Sequence, residues 1–155
     1  MPRETAGLDR RTLLAAAAAL AVPILGGATL RAAHAQKESA MRLTFTFSDQ
    51  TFTATLEDNP TARDLVSLLP LDLTIDDYST SEKIAYLPRK LSEEGSGRFE
   101  NEATGDLCYF APWGNLAMFH ASYRWSRGLI RLGRLEAGPS PLLVRGEYPL
   151  RVLSL

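Results

Sequence analysis

The chain has 155 residues, a formal net charge of −1 and a single cysteine. Acidic residues outnumber basic ones, which argues against nucleic acid or an anionic membrane surface as a partner, and one cysteine excludes an internal disulfide. A hydrophobic content of 45% is enough to build a folded core.

The first 35 residues have the order of a secretion signal. The adjacent arginines Arg10 and Arg11 precede a weakly apolar stretch at residues 12–30, and a small-x-small sequence follows at residues 33–35. Paired arginines before such a stretch are typical of the twin-arginine route, which exports folded proteins. We therefore predict a twin-arginine signal peptide over residues 1–35, cleavage after Ala35, and a periplasmic or secreted protein. Its partners in export would be the twin-arginine machinery and a signal peptidase.

A membrane anchor is the alternative interpretation of the same segment, because its 19 residues approach the lower limit for a spanning helix. Seven of these residues are alanine, and Pro23, Gly26 and Gly27 lower both the apolarity and the helix propensity. Arg31 then separates the apolar stretch from the cleavage sequence. The sequence favours a cleaved signal and no stable membrane anchor after cleavage.

The remaining 120 residues suit one domain, with a flexible lead-in at 36–40 and a folded unit at 41–155. They carry 13 Lys and Arg against 16 Asp and Glu, a net charge of −3. Cys108 lies in an apolar run, which favours a buried, inert thiol over a nucleophile. His120, the one histidine of this part, cannot build a His-rich metal site. No metal and no cofactor are predicted.

Alternation of apolar and polar residues predicts about eight short strands in this part of the chain. They lie at residues 42–47, 51–56, 71–75, 82–88, 106–110, 116–120, 129–135 and 149–155. The strands show no βαβ rhythm and no repeat, so we predict a mostly antiparallel sheet. A closed barrel is its natural arrangement, because closure removes exposed strand edges.

The segments between the strands have their own signals. Asn59 and Pro60 are typical of a helix N-terminus, apolar residues follow at helical spacing, and Pro70 ends the helix. Residues 92–97 predict a polar loop. Residues 111–115, Ala-Pro-Trp-Gly-Asn, predict a turn that displays Trp113 at its tip.

Three segments carry a resemblance to a known family. Residues 105–117, Gly-Asp-Leu-Cys-Tyr-Phe-Ala-Pro-Trp-Gly-Asn-Leu-Ala, resemble a bacterial family of cyclophilin-like proteins, and residues 126–134 and 82–88 extend the match. The resemblance implies a mainly β fold over residues 41–155: a small closed antiparallel cyclophilin-like β-barrel with one or two short capping helices. It implies no particular activity, because this family is largely uncharacterised. No segment matches the catalytic Phe-His-Arg motif of prolyl isomerases.

Aromatic residues concentrate along one edge of the predicted barrel and form the candidate site. They are Tyr109, Trp113, Phe119, Tyr123 and Trp125. Flat aromatic side chains give contact area at low entropic cost, and Arg127 could anchor a carboxylate or carbonyl by its planar guanidinium. Core packing is the competing interpretation for Tyr109 and Phe119, and packing over its own turn is the competing one for Trp113. Trp113 and Arg127 are therefore the central pair of the predicted site.

Four arginines also fall close together in the second half of the chain. They are Arg124, Arg127, Arg131 and Arg134. A pocket for an anionic group is one interpretation, and a solvated strand and loop edge is the favoured one.

These residues support two functional hypotheses. The first is a domain of unknown activity that binds a peptide or small-molecule ligand through Trp113, Arg127, Tyr109, Phe119 and Tyr123. The second is a peptidyl-prolyl cis-trans isomerase, in which a hydrogen bond from Arg127 would weaken amide resonance and so lower the rotation barrier. Arg127 is then the one candidate catalytic residue.

Overall fold

The computed structural model describes residues 40–155. The predicted signal peptide and residues 36–39 of the predicted lead-in lie outside the described residues. Within residues 40–155, eight strands form a closed antiparallel barrel, accompanied by one α-helix and one short 3-10 helix. The predicted fold class is confirmed. Neither helix within residues 40–155 has the length and hydropathy of a membrane-spanning segment.

The described elements follow the predicted order along the chain. They are β1 (Arg42–Phe47), β2 (Gln50–Leu56), α1 (Pro60–Ser67), β3 (Leu71–Tyr78), β4 (Glu82–Tyr86), β5 (Asp106–Phe110), β6 (Asn115–Phe119), β7 (Leu129–Leu135), the 3-10 helix (Ser140–Leu143) and β8 (Tyr148–Ser154). The strand β3 runs three residues beyond its predicted end at Ile75, because Asp76, Asp77 and Tyr78 pair with β4. Cross-strand pairing therefore overrides the low strand propensity of the two aspartates.

The strand order around the barrel is β1-β2-β7-β5-β6-β4-β3-β8, and β8 pairs with β1 to close it. Three of these contacts join strands that are neighbours in sequence: β1 with β2, β3 with β4, and β5 with β6. The pairing of β4 with β6 joins two of these hairpins. This contact brings residues 82–86 beside residues 115–119 and so builds the surface on which the candidate site lies.

The helix α1 begins as its sequence predicts. The side chain of Asn59 accepts a hydrogen bond from the backbone N–H of Ala62 at 2.8 Å, and Pro60 occupies the first turn. The side-chain nitrogen Nδ2 of Asn59 also donates a hydrogen bond to the backbone carbonyl oxygen of Arg131, 3.0 Å away in β7. Leu65 is fully buried in the core, so the cap and the apolar face of α1 together attach it to the barrel.

Two hydrophobic clusters stabilise the fold. The larger one fills the barrel and takes alternate residues of the strands, such as Leu43, Phe45 and Phe47 of β1. The smaller one lies on the opposite face of β5, β6 and β7, where four buried residues are covered by partly buried aromatic rings. Its buried members are Cys108, Ala117, Phe119 and Leu129, and its covering residues are Phe99, Phe110, Tyr123 and Trp125. Every residue of β6 is therefore buried, although only one of its faces points into the barrel.

Gly133 permits the close approach of β7 to β2. Any Cβ at this position would collide with the carbonyl oxygen of Thr55 and the Cα atom of Leu56, both of which are backbone atoms. Backbone atoms of a paired strand cannot move aside as a flexible side chain can. A residue without a side chain is therefore required where β7 meets β2.

Candidate functional site

A cavity of about 270 Å³ lies on the outer face of the barrel, beside the smaller hydrophobic cluster. Its walls come from β3, β4, β5, β6, the turn before β6, and the segment leading into β7. The lining residues are Tyr78, Glu82, Ile84, Phe110, Trp113, Asn115, Ala117, Phe119, Arg124, Ser126 and Leu129. Most of these side chains are apolar or aromatic, which is typical of a small-ligand site.

Strand register explains why these particular side chains meet. Glu82 of β4 pairs with Tyr78 of β3 on one side and with Phe119 of β6 on the other. Directly paired residues point to the same face of a sheet, so the three side chains form one row across the cavity. Asn115 of β6 likewise pairs with Phe110 of β5 and forms a second row.

The Trp113 ring forms the aromatic wall of the cavity together with two other rings. Its centroid lies 5.3 Å from the Tyr78 ring and 5.5 Å from the Phe110 ring, and both contacts are edge-to-face. Such contacts hold an aromatic ring in a defined orientation. Trp113 is nevertheless 47% exposed, so its position is fixed while part of its surface stays available.

Phe119 is held in place from its other side by Tyr123. The two rings stack with centroids 3.6 Å apart and planes 8° from parallel. The Tyr123 hydroxyl donates a hydrogen bond to Oδ2 of Asp106 at 2.6 Å. Burial, the neighbouring Cys108 thiol and the hydrogen bond to Asp106 raise the pKa of Tyr123, so the phenol stays protonated and remains the donor.

Asp106 is fully buried and organises the segments behind the cavity. Its carboxylate accepts hydrogen bonds from Nε of Arg134 at 2.7 Å and from the backbone N–H of Ala103 at 3.0 Å, in addition to the Tyr123 hydroxyl. Arg131 lies 3.7 Å from the same carboxylate and 2.6 Å from Glu57. These contacts join β5, β7 and the two loops that flank them.

The arginine cluster therefore does not form a single anion pocket. Arg131 and Arg134 are paired with carboxylates and also donate to backbone carbonyl oxygens at residues 100 and 101. Arg124 and Arg127 are exposed and form no ion pair with another residue of the described chain. Of the four arginines, Arg124 lines the aromatic cavity.

Two polar acceptors in the cavity have no partner among residues 40–155. Glu82 is partly buried, forms no hydrogen bond or ion pair there, and has its pKa raised by burial to about 7. Asn115 is buried, and its amide nitrogen donates to the carbonyl oxygen of Leu116 while its Oδ1 has no hydrogen-bond partner. Unpaired acceptors in a partly dry site favour a ligand that brings hydrogen-bond donors.

The structure brings two of the five predicted site residues, Trp113 and Phe119, into this cavity. Tyr123 stacks behind Phe119 and lines a neighbouring polar cavity of about 880 Å³. Tyr109 is fully buried in the larger cluster, where its hydroxyl accepts a hydrogen bond from the N–H of Leu91 at 3.0 Å. Arg127 is exposed beside the cavity and is not among its lining residues. The binding roles of all five residues stay predictions.

Sequence reasoning missed three lining residues with chemical character: Tyr78, Glu82 and Asn115. It considered Arg124 only as a member of the arginine cluster. Glu82 is the first residue of β4, and Asn115 is the first residue of β6. Both look like ordinary surface residues in the sequence. The signal that could have found them is the pairing of β4 with β6, which places Glu82 opposite Phe119. That pairing is a property of the closed barrel and not of any local pattern.

Cys108 is fully buried, as its apolar context predicts. Burial raises the pKa of the thiol far above neutral pH, and its nearest polar partner is the Tyr123 hydroxyl at 3.7 Å. The thiol is therefore protonated and unreactive. Among residues 40–155, no group of three His, Cys, Asp or Glu side chains could hold a metal ion.

A model of the cyclophilin-like family matches residues 45–151, which is most of the chain. The chain belongs to the cyclophilin-like family. The match covers all of the cavity-lining residues and confirms the family resemblance inferred from residues 105–117 and the two further segments. The bacterial origin of that resemblance stays a prediction.

The cyclophilin-like fold also recurs among solved structures. The solution structure of a hypothetical protein from Archaeoglobus fulgidus is similar, with a TM-score of 0.60 and 17% sequence identity. The similarity covers 75% of this chain and 95% of that protein. A search of curated proteins gives no match. At this level of identity the structural similarity establishes the fold and leaves the activity of this cyclophilin-like chain to be argued from its own cavity.

Proposed function

We propose that this cyclophilin-like domain binds a small molecule, or one side chain of a peptide, in the outer-face cavity. The single observation that carries the proposal is the aromatic wall of Trp113, Tyr78 and Phe110, whose rings are fixed edge-to-face while Trp113 remains 47% exposed. A rigid and exposed aromatic ring loses little conformational entropy when a ligand packs on it. The volume of about 270 Å³ suits a compact ligand.

We expect Trp113→Ala to weaken ligand binding at least tenfold, because the substitution removes the central ring of the wall. Binding can be followed by two-dimensional amide NMR of the full-length chain with a library of small aromatic fragments. Resonances of residues 110–119 should shift on binding.

Leu143→Ala is the matched control, because Leu143 is 58% exposed and lies on the 3-10 helix, outside the cavity. The control should bind as the wild type does. Fragments that bind the wild type and Trp113→Ala equally well would place the ligand elsewhere on the domain and contradict the proposal.

Peptidyl-prolyl isomerisation is the second candidate function. The observation in its favour is that the same cavity combines an apolar surface with the guanidinium group of Arg124. An arginine beside an apolar slot could donate a hydrogen bond to a proline peptide and weaken its amide resonance. Acceleration of a standard proline-peptide assay by the full-length chain, lost in Arg124→Ala, would support this activity. No acceleration at micromolar protein would dismiss it.

We also propose that the protein acts outside the cytoplasm, after export by the twin-arginine route. The support is the sequence of residues 1–35, with Arg10, Arg11 and the small residues before position 36. The exported protein should begin at Gln36, as intact mass would reveal. Replacement of Arg10 and Arg11 by lysine should abolish export. Material outside the cytoplasm that still carries residues 1–35 would contradict cleavage.

A further inference from the structure

We infer that the natural ligand carries a protonated amine, which binds beside Glu82 with its apolar portion against the rings of the cavity. This inference rests on the proposed binding function and specifies the chemical class of the ligand. It depends on three features of the described residues: a carboxylate without a cation, a flanking set of aromatic rings, and a second unpaired acceptor.

The first feature is the isolation of Glu82. Three other buried or partly buried carboxylates of this domain have cationic partners: Asp106 has Arg134, Asp77 has Lys83, and Asp64 has Arg89. Asp76 and Glu102 are partly buried without an ion pair, but each accepts a hydrogen bond from a backbone N–H. Glu82 has no such partner among residues 40–155, although it is partly buried. An ionised carboxylate in this position costs folding free energy unless a cation compensates it. A cationic ligand would supply the missing partner.

The second feature is the arrangement of rings beside this carboxylate. Tyr78 and Phe119 are the direct cross-strand neighbours of Glu82, and Trp113 lies 5.3 Å from Tyr78. The faces of aromatic rings attract cations, most strongly when the cation is partly desolvated. A carboxylate among aromatic rings is therefore selective for an ammonium group over a neutral polar group of the same size.

The third feature is the unpaired oxygen of Asn115. The amide orientation is set by the hydrogen bond that Nδ2 donates to the carbonyl oxygen of Leu116 at 3.0 Å, which leaves Oδ1 as the acceptor. Asn115 and Glu82 both line the cavity and both lack a donor within the described chain. An ammonium group has three donors and no acceptor, so it matches the carboxylate of Glu82. Asn115 pairs with Tyr86, four residues along β4 from Glu82, so its Oδ1 would accept a second donor of the ligand.

Arg124 lines the same cavity but does not satisfy Glu82, since no ion pair within 4.0 Å joins them. Arg124 is exposed, so solvent and salt screen its charge. A ligand with an anionic group facing Arg124 is the competing chemistry.

Binding of an amine should depend on the ionisation of Glu82. Burial raises the pKa of Glu82 to about 7, so its carboxylate becomes available as the pH rises through neutrality. The charged or titratable groups that line the cavity with Glu82 are Tyr78 on β3 and Arg124 on the loop before β7. His120, after β6, interacts instead with Arg145, Asp77 and Lys83. Burial lowers the pKa of His120, which keeps its ring neutral at pH 7. Lys83, the next residue on β4, faces the barrel interior and bonds to Asp77.

The test compares three probes on the full-length chain by NMR titration: 2-phenylethylammonium, the neutral isostere 2-phenylethanol, and the anion phenylacetate. At pH 8 we expect the ammonium to bind at least tenfold more tightly than the alcohol and to shift resonances of β4 and β6. From pH 8 to pH 6 its affinity should fall about tenfold as Glu82 is protonated. Glu82→Gln should remove both the preference and the pH dependence, whereas Glu94→Gln, an exposed loop carboxylate, should retain both.

The outcomes separate this inference from the proposed function. Equal binding of the ammonium and the alcohol in the cavity overturns the inference and leaves the binding function standing. Preferred binding of phenylacetate, lost in Arg124→Ala, overturns it in favour of an anionic ligand. Failure of every probe to bind the cavity overturns both proposals. Tighter binding of a lysine peptide with blocked termini than of 2-phenylethylammonium supports the inference and identifies the ligand as a peptide with a lysine side chain. Tighter binding of 2-phenylethylammonium supports the inference and identifies the ligand as a free amine.

Discussion

Asp77→Asn should lower the free energy of unfolding by about 3 kcal/mol or more, because it leaves a buried ammonium group without its counter-ion. Lys83 is fully buried, and its Nζ lies 2.9 Å from Oδ1 of Asp77 and 3.3 Å from the carbonyl oxygen of Gly146. Asp77 Oδ2 also accepts the backbone N–H of Gly146 at 2.7 Å. Urea unfolding at pH 7, monitored by tryptophan fluorescence, measures the loss.

Asp72→Asn is the matched control, because Asp72 lies on the same strand and pairs with Arg151 on the exposed surface. Exposed ion pairs contribute less than about 1 kcal/mol, so this variant should unfold almost as the wild type does. Equal losses in the two variants would show that burial of Lys83 does not determine the effect.

The same comparison predicts a dependence on pH. Burial pushes the pKa of Asp77 upward, but the hydrogen bonds from Lys83 and from the N–H of Gly146 outweigh it, so the net pKa is lowered. A carboxyl group with a lowered pKa in the folded state stabilises the fold fully at neutral pH. This contribution decreases as the pH falls below the pKa of Asp77 in the unfolded state, near 4. It is lost once the pH has also fallen through the pKa of Asp77 in the folded state. The stability difference between the wild type and Asp77→Asn should therefore shrink in acid.

Asp106→Asn should lower the free energy of unfolding by about 3 kcal/mol and should also weaken ligand binding in the cavity. An asparagine has one acceptor oxygen where the carboxylate has two, so its NH₂ group would face other donors. Arg134 donates to Oδ1, whereas Ala103 and Tyr123 donate to Oδ2, so an NH₂ group at either position meets at least one donor. Loss of the Tyr123 contact frees the ring that stacks on Phe119, which is a wall of the cavity.

Tyr123→Phe separates the two effects of this substitution. It removes one hydrogen bond to the carboxylate, which contributes about 1.5 kcal/mol, and keeps the ring that stacks on Phe119. We expect a smaller loss of stability and nearly unchanged binding of 2-phenylethylammonium. A free energy of unfolding for Asp106→Asn within about 0.5 kcal/mol of the wild-type value would contradict the central role of this carboxylate.

The local sequence predicted much of the architecture, because its signals act over a few residues. Asn59 and Pro60 predicted the start of α1, since an N-cap and a proline in the first turn satisfy backbone groups within that turn. Alternation of apolar residues predicted the strands, since side chains of a strand alternate between two faces. The turn predicted at residues 111–115 is present at residues 111–114, and it exposes Trp113 as expected.

The candidate site depends on contacts that no local pattern contains. Trp113 and Phe119 were found from their own chemistry, but their partners Tyr78 and Glu82 come from strands that meet β6 only when the barrel closes. Arg127 and Arg124 lie three positions apart, and no local pattern favours Arg124, which is the one that lines the cavity. The sequence alone determined the family, the strands and the aromatic content of the edge, because these depend on residue type and short-range periodicity. Which side chains share the cavity, and that Glu82 has no partner among residues 40–155, become visible only in the folded barrel, because both depend on the long-range pairing of strands.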